Sequence, residues 1–174
     1  MSKMSTGGEN INFCWSPDGT QLAVGSKVKS PSHQIPCQCS VQDDVITILD
    51  VQGAKVIHKM QFNFEVNEIS WNPDGTLFFV TTGPGTVNVL EYPSFKTLHT
   101  LQAHTANCYC IEFEPKNRYL AASGWWYYVY RYFAVGAADA LVSLWDLSEL
   151  TCVRTLGRLE YVKMTLNFLP TVSL

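Results

Sequence analysis

Apolar and polar residues alternate with a period of two in short runs along this chain, and the runs recur in sets of four. The first run of each set ends in a proline-containing turn: INFCWSPDG at 11–19, VNEISWNPDG at 66–75 and CYCIEFEPKN at 108–117. Ile11, Phe13 and Trp15 share one side of their run, as do Ile69 and Trp71, then Tyr109, Ile111 and Phe113. A period-two stripe running into a Pro-Asp-Gly type turn predicts a strand entering a hairpin. Second strands are expected at 21–25, 77–81 and 118–122, and third strands at 45–50, 86–91 and 141–146. Fourth strands are expected at 55–62, 96–101 and 151–156. The pattern predicts an all-β chain.

The sets repeat. Trp71 and Phe113 lie 42 residues apart, whereas Trp15 and Trp71 lie 56 apart, and both Glu91 to Asp146 and Phe113 to Phe168 span 55. Removing 28–42 and 123–135 brings every spacing to 41 or 42, within the period of about 40–45 residues of a four-stranded propeller repeat. The expected organisation is a flexible N-terminus at 1–10 and repeats at 11–62, 66–101 and 104–156. A fourth repeat opens at 162–168, with Pro170 in the turn, before a divergent tail at 169–174. Both insertions are placed between second and third strands. Two readings stand for them: surface loops, or intervening sequence translated in frame. The second patch favours the latter, since exposed loops seldom carry so many aromatic residues as 125–133 without a partner to bury them.

Of 174 residues, 47% are hydrophobic and 16% charged, enough to fold around a core. A net charge of −3 and the absence of any basic run argue against nonspecific nucleic-acid binding. The N-terminal MSKMSTGGEN lacks the apolar centre of a signal peptide, and no apolar run approaches 18 residues. An intracellular protein with no membrane span is expected. The six cysteines have no disulfide-framework spacing and are expected as free thiols.

In GAADALVSLWD (136–146), Asp139 sits in a turn and Trp145-Asp146 closes a strand, while Ala103-His104 stands where such a unit opens. This is the ending of a WD repeat. His104, Asp139 and Trp145 are expected to form a structural network in which the imidazole bridges the turn Asp and, through a hydroxyl, the indole N–H. Ser123 is the candidate hydroxyl. Polar groups buried between blades must satisfy one another. A catalytic His104–Asp139 dyad has no Ser or Cys nucleophile at a recognisable spacing. His33, Cys37 and Cys39 lack the C-x2-C knuckle and a fourth ligand, so no metal is expected there. Cys108 and Cys110 share a strand face and read as small hydrophobes packed between blades. Gly83-Pro84-Gly85 is a turn, since no Lys-Ser/Thr pair and no helix pattern follow it. The aromatic patch with Arg131 has no basic neighbours to make it a base-stacking platform. No catalytic, cofactor or metal residues are expected.

At the level of whole segments the chain resembles the THO complex subunit 3 family, WD-repeat proteins of the nuclear transcription–export assembly. The segments are GENINFCWSPDGTQLAVGSK (8–27), DDVITILD (43–50), FEVNEISWN (64–72), AHTANCYCIEFEP (103–115), ADALVSLWDLSELTCVR (138–154) and RLEYVKMTLNF (158–168). The departures fall at 28–42, 123–135 and the last few residues. The resemblance implies a non-enzymatic scaffold in the nucleus that joins other THO subunits and supports co-transcriptional packaging and export of messenger RNA, with RNA met indirectly. A WD-repeat adaptor in another complex, such as a substrate receptor or signalling scaffold, is the alternative. A propeller enzyme is third, because no acidic or His cluster marks a pore mouth. Family members have a full ring of repeats. Three repeats and one strand make a partial propeller with open edges, expected to self-associate when expressed alone.

Overall fold

The computed structural model describes residues 6, 8–28, 43–114, 119–122, 125–128 and 132–157. Strands β1 (Glu9–Trp15), β2 (Gln21–Val28), β3 (Asp43–Asp50) and β4 (Lys55–Phe62) form one antiparallel sheet in chain order. A second sheet repeats the meander with β5 (Val66–Trp71), β6 (Leu77–Thr82), β7 (Thr86–Glu91) and β8 (Lys96–Gln102). The first two strands of each are joined by the same turn. In Ser16-Pro17-Asp18-Gly19 the Gly19 N–H closes on the Ser16 carbonyl at 2.9 Å, and in Asn72-Pro73-Asp74-Gly75 the Gly75 N–H closes on the Asn72 carbonyl at 3.0 Å. Both glycines have positive φ (70° and 77°), which a side chain would resist. Glu9 and Asn10 belong to β1, paired with Lys27 and Ser26, so the strand starts earlier than the flexible 1–10 segment expected. The Ser26 hydroxyl ties down Asn10 at 3.0 Å.

The third sheet corrects the sequence reading. After β9 (Cys108–Phe113) come a separate two-stranded hairpin, β10 (Tyr119–Ala122) and β11 (Trp125–Tyr128), then β12 (Tyr132–Ala137), β13 (Val142–Asp146) and β14 (Thr151–Leu156). The sheet order is β14-β13-β12-β9, so Tyr132–Ala137 and not 118–122 is its second strand. The extra residues therefore separate the first and second strands, and the assigned insertion 123–135 takes in four residues of the blade itself. The cause is a near-duplication: Arg-Tyr-Leu-Ala at 118–121 recurs as Arg-Tyr-Phe-Ala at 131–134. Either copy satisfies the 42-residue arithmetic. Phe133 decides it by burial: it is fully enclosed, opposite Phe113 on one side and Trp145 on the other. The 28–42 insertion beyond Val28, the fourth-repeat start at 162–168 and the tail at 169–174 lie outside the described residues.

Two cores lie between consecutive sheets. Ala23, Ile46 and Ile48 of the first meet Val66, Ile69, Trp71, Phe78, Val80 and Leu90 of the second. Phe79, Val87 and Val89 of the second meet Cys108, Ile111, Phe113, Phe133, Val135 and Trp145 of the third. Aromatic pairs fill both, among them Trp71–Phe78 at 4.8 Å and Phe79–Phe113 at 5.0 Å between centroids. Hydrogen bonds cross the seams as well: Val66 N–H to the Asp44 carboxylate at 2.7 Å, and Asn67 Nδ2 to the Cys108 carbonyl at 2.9 Å. Asn12 reaches the Asn67 carbonyl, and Lys27 pairs with Glu65 at 3.1 Å. The outer strand β14 is exposed along its whole length. Among the described residues no helix is long and apolar enough to cross a membrane.

Candidate functional site

His104 enters the third sheet from the loop that leaves the second. The Gly85 carbonyl, in the β6–β7 turn, accepts the N–H groups of Ala103 (3.2 Å) and His104 (3.0 Å). Gly85 has φ +87°, and a Cβ there would lie 2.4 Å from the His104 carbonyl oxygen. Only glycine lets the loop come this close. Gln102 Nε2 donates to the same His104 carbonyl at 2.6 Å.

Seated this way, the imidazole spans two elements of the third sheet. Nδ1 lies 3.0 Å from Asp139 Oδ2, in the β12–β13 turn, and Nε2 lies 2.8 Å from Ser143 Oγ. Trp145 Nε1 donates to the same Ser143 Oγ at 2.8 Å. One assignment uses each proton once: Trp145 N–H to Ser143, Ser143 O–H to Nε2, and Nδ1–H to the Asp139 carboxylate. Asp139 also accepts the Leu141 N–H at 3.1 Å, which closes the turn. The structure thus brings His104, Asp139 and Trp145 together. The hydroxyl is Ser143, on the third strand, whereas Ser123 lies outside the described residues. Sequence reasoning missed Ser143 because it sought the hydroxyl on a second strand. The available signal was the period of two, which places 143 and 145 on one strand face.

Ser143, His104 and Asp139 have the connectivity of a hydrolytic triad. Their setting is that of a packed blade. Ser143 is 1% exposed, so a substrate carbonyl has no access to its oxygen, and one of that oxygen's two lone pairs is already taken by the indole N–H. No other sheet among the described residues repeats the network. At the corresponding strand ends the first and second sheets carry Leu49-Asp50 and Leu90-Glu91.

Other titratable groups line the seams. Burial pushes the Glu68 carboxyl up to about 7, with the Ile111 N–H at 3.2 Å opposing the shift and the charge of Glu112 adding to it. Glu112 is itself raised by burial. Burial also pushes the Cys14 and Cys108 thiols up to about 12, so neither is a thiolate nucleophile at neutral pH. Cys14, Cys108, Cys110 and Cys152 are free thiols, with Cys108 and Cys110 buried and Cys152 exposed. Among the described residues no group of three or more His, Cys, Asp or Glu could hold a metal ion, and His33, Cys37 and Cys39 lie outside them.

Comparison with known proteins bears on this geometry. Residues 95–146, the stretch holding the network, match the profile of the WD domain, G-beta repeat, and residues 61–116 match that of the anaphase-promoting complex subunit 4 WD40 domain. THO complex subunit 3 of Arabidopsis thaliana is 50% identical over 92% of this chain and 42% of its own length. WD repeat-containing protein AAC3 of Dictyostelium discoideum is 30% identical over 95% of the chain and 30% of its own length. The chain thus spans less than half of these curated relatives. Among solved structures, the RRP9 WD40 repeats superpose with a TM-score of 0.66 at 14% identity, covering 89% of this chain and 40% of that one. U3-55K gives 0.65 at 13%, covering 90% and 42%. At that identity the likeness shows the fold alone: a partial β-propeller.

Proposed function

Because the chain belongs to the WD-repeat family and is related along most of its length to THO complex subunit 3, we propose that it acts as a non-enzymatic scaffold within the THO transcription–export complex. In this reading it holds other THO subunits in the nucleus during co-transcriptional processing and export of messenger RNA. The 50% identity over 161 residues carries the reading. The geometry supports it, because the polar network that most resembles a catalytic site is enclosed between strands and serves to lock a blade. A net charge of −3 with no basic stripe favours contact with RNA through partners.

The match of 61–116 to an anaphase-promoting complex subunit profile favours a second reading, a WD-repeat adaptor in another assembly. Affinity capture of the tagged protein from nuclear extract separates the two. Recovery of several THO subunits at stoichiometric levels is the expected result. Recovery of a different assembly without THO subunits overturns the proposal, as does exclusion of a fluorescently tagged protein from the nucleus.

A further inference from the structure

Each seam between sheets is made from two unlike faces. The face turned to the preceding sheet carries one row across three strands: Trp71, Phe78 and Leu90 in the second sheet, Phe113, Phe133 and Trp145 in the third. The face turned to the following sheet carries another: Ala23, Ile46 and Ile48 in the first sheet, Phe79, Val87 and Val89 in the second. Strand pairing fixes the equivalents at the two outer sheets. In the first, Trp15 pairs with Leu22 and Leu22 with Leu49, which makes a row of the first kind. In the third, Ala134 pairs with Leu144 and Gly136 with Val142, so Ala134, Val142 and Leu144 make a row of the second kind.

Both outer rows are less enclosed than their inner counterparts. Trp15 is 52% exposed where Trp71 and Phe113 are 4% and 9%, and Leu22 is half-buried where Phe78 and Phe133 are sealed. Across the molecule, Leu144 is half-buried where Ile48 and Val89 are sealed. Ala134 and Val142 keep 7% and 8% exposure where Ala23, Phe79, Ile46 and Val87 keep 0%. The outer sheets thus present the two halves of a seam that the chain itself completes twice. Neither row holds a charged residue, so mating them buries apolar surface with no ion to desolvate.

The number of sheets decides how copies can meet. A closed propeller holds about four to eight blades. The described residues of one copy supply three four-stranded sheets, below that range; two copies supply six, within it, and three supply nine, beyond it. When the third sheet of each copy meets the first sheet of the other, the two interfaces are alike and all four outer rows are covered. Growth stops there, because no complementary row remains. We propose that two copies of this chain join head to tail into a closed six-bladed ring, the third sheet of each against the first sheet of the other. The proposal rests on blade geometry and goes beyond the scaffold reading, which can fail with the ring intact.

The test is sedimentation velocity of the 174-residue chain across the micromolar range. A single step from monomer to a species of twice the chain mass is expected, with nothing larger. Trp15→Glu and Leu144→Lys each place a charge on one row. In a head-to-tail ring either variant spoils both of its own interfaces, so each alone is expected to raise the dimer dissociation constant at least roughly tenfold. Mixed together they are expected to recover a dimer, since one interface is then unaltered and the other carries Glu on one side and Lys on the other. Circular dichroism checks that both variants fold, and Leu144→Gln replaces the lysine variant if that one does not. A parent chain that stays monomeric, masses that climb past two copies, or a mixture without dimer each overturns the proposal. So does full dimerisation of Leu144→Lys, which would place the first sheets of two copies back to back. Capture of THO subunits is a separate measurement.

Discussion

Trp145, Ser143, His104 and Asp139 form a chain of buried hydrogen bonds, and the Val135 carbonyl lies a further 3.2 Å from His104 Nε2. Ser143→Ala leaves the Trp145 N–H and His104 Nε2 buried without those bonds. It is expected to cost about 2–3 kcal/mol, read as a lowered urea midpoint, whereas Ser148→Ala on an exposed turn changes stability by less than about 0.5 kcal/mol. Three of the four residues were legible because the Trp-Asp dipeptide, the turn Asp and the His before the repeat sit at recognisable spacings. Ser143 was not, because the hydroxyl was sought on a second strand, although the period of two sets 143 and 145 on the same face of the third. Glu68 carries a second prediction at this scale. Its folded value of about 7 lies above the ordinary 4.5, so the folded state holds the proton longer than the unfolded one. That stabilisation is complete below about pH 4.5 and is lost as pH rises through 7. After allowance for the carboxyl's partial exposure, the loss is on the order of 1–2 kcal/mol. Glu68→Gln is expected to flatten this slope in melts between pH 4.5 and 8; an unchanged slope would show that the seam is wetter than its packing implies.

The third sheet shows where sequence reading of an element stops. Strands with a turn signature at each end were placed within a residue or two: β4, β7 and β14 begin and end as the alternation predicts. For the second strand of the third sheet two nearly identical segments compete, and periodicity cannot choose between Leu120 and Phe133. Packing can. The pocket formed by Phe79, Phe113 and Trp145 is filled by the Phe133 ring, 5.2 Å, 5.8 Å and 6.1 Å from theirs. Phe133→Ala is accordingly expected to destabilise the chain by about 3–5 kcal/mol, whereas Leu120→Ala costs far less. Chemical denaturation of the two variants checks the choice directly, and the reverse ranking would mean that 118–122 occupies the sheet.

Across the whole molecule, the same stripe meets two different fates. Ile69 and Trp71 of β5, and Ile111 and Phe113 of β9, are buried because a preceding sheet covers them. Ile11, Phe13 and Trp15 of β1 are their counterparts, and they are 43%, 69% and 52% exposed, since no sheet among the described residues precedes the first. The alternation identified the stripe correctly as a packing surface. It could not say whether a neighbour is present, because that is a property of the assembled ring and not of one strand. An apolar strand face of this kind, built to the pattern that mates twice elsewhere in the chain, is an association surface. The 174-residue chain expressed by itself is therefore expected to form dimers or larger species by light scattering, growing with concentration. Phe13→Glu with Trp15→Glu places two charges on that face without touching either core, and is expected to shift the population towards monomer. If the double variant associates as strongly as the parent, the contact runs through exposed strand edges such as β14, and the unpaired backbone there is what must be blocked.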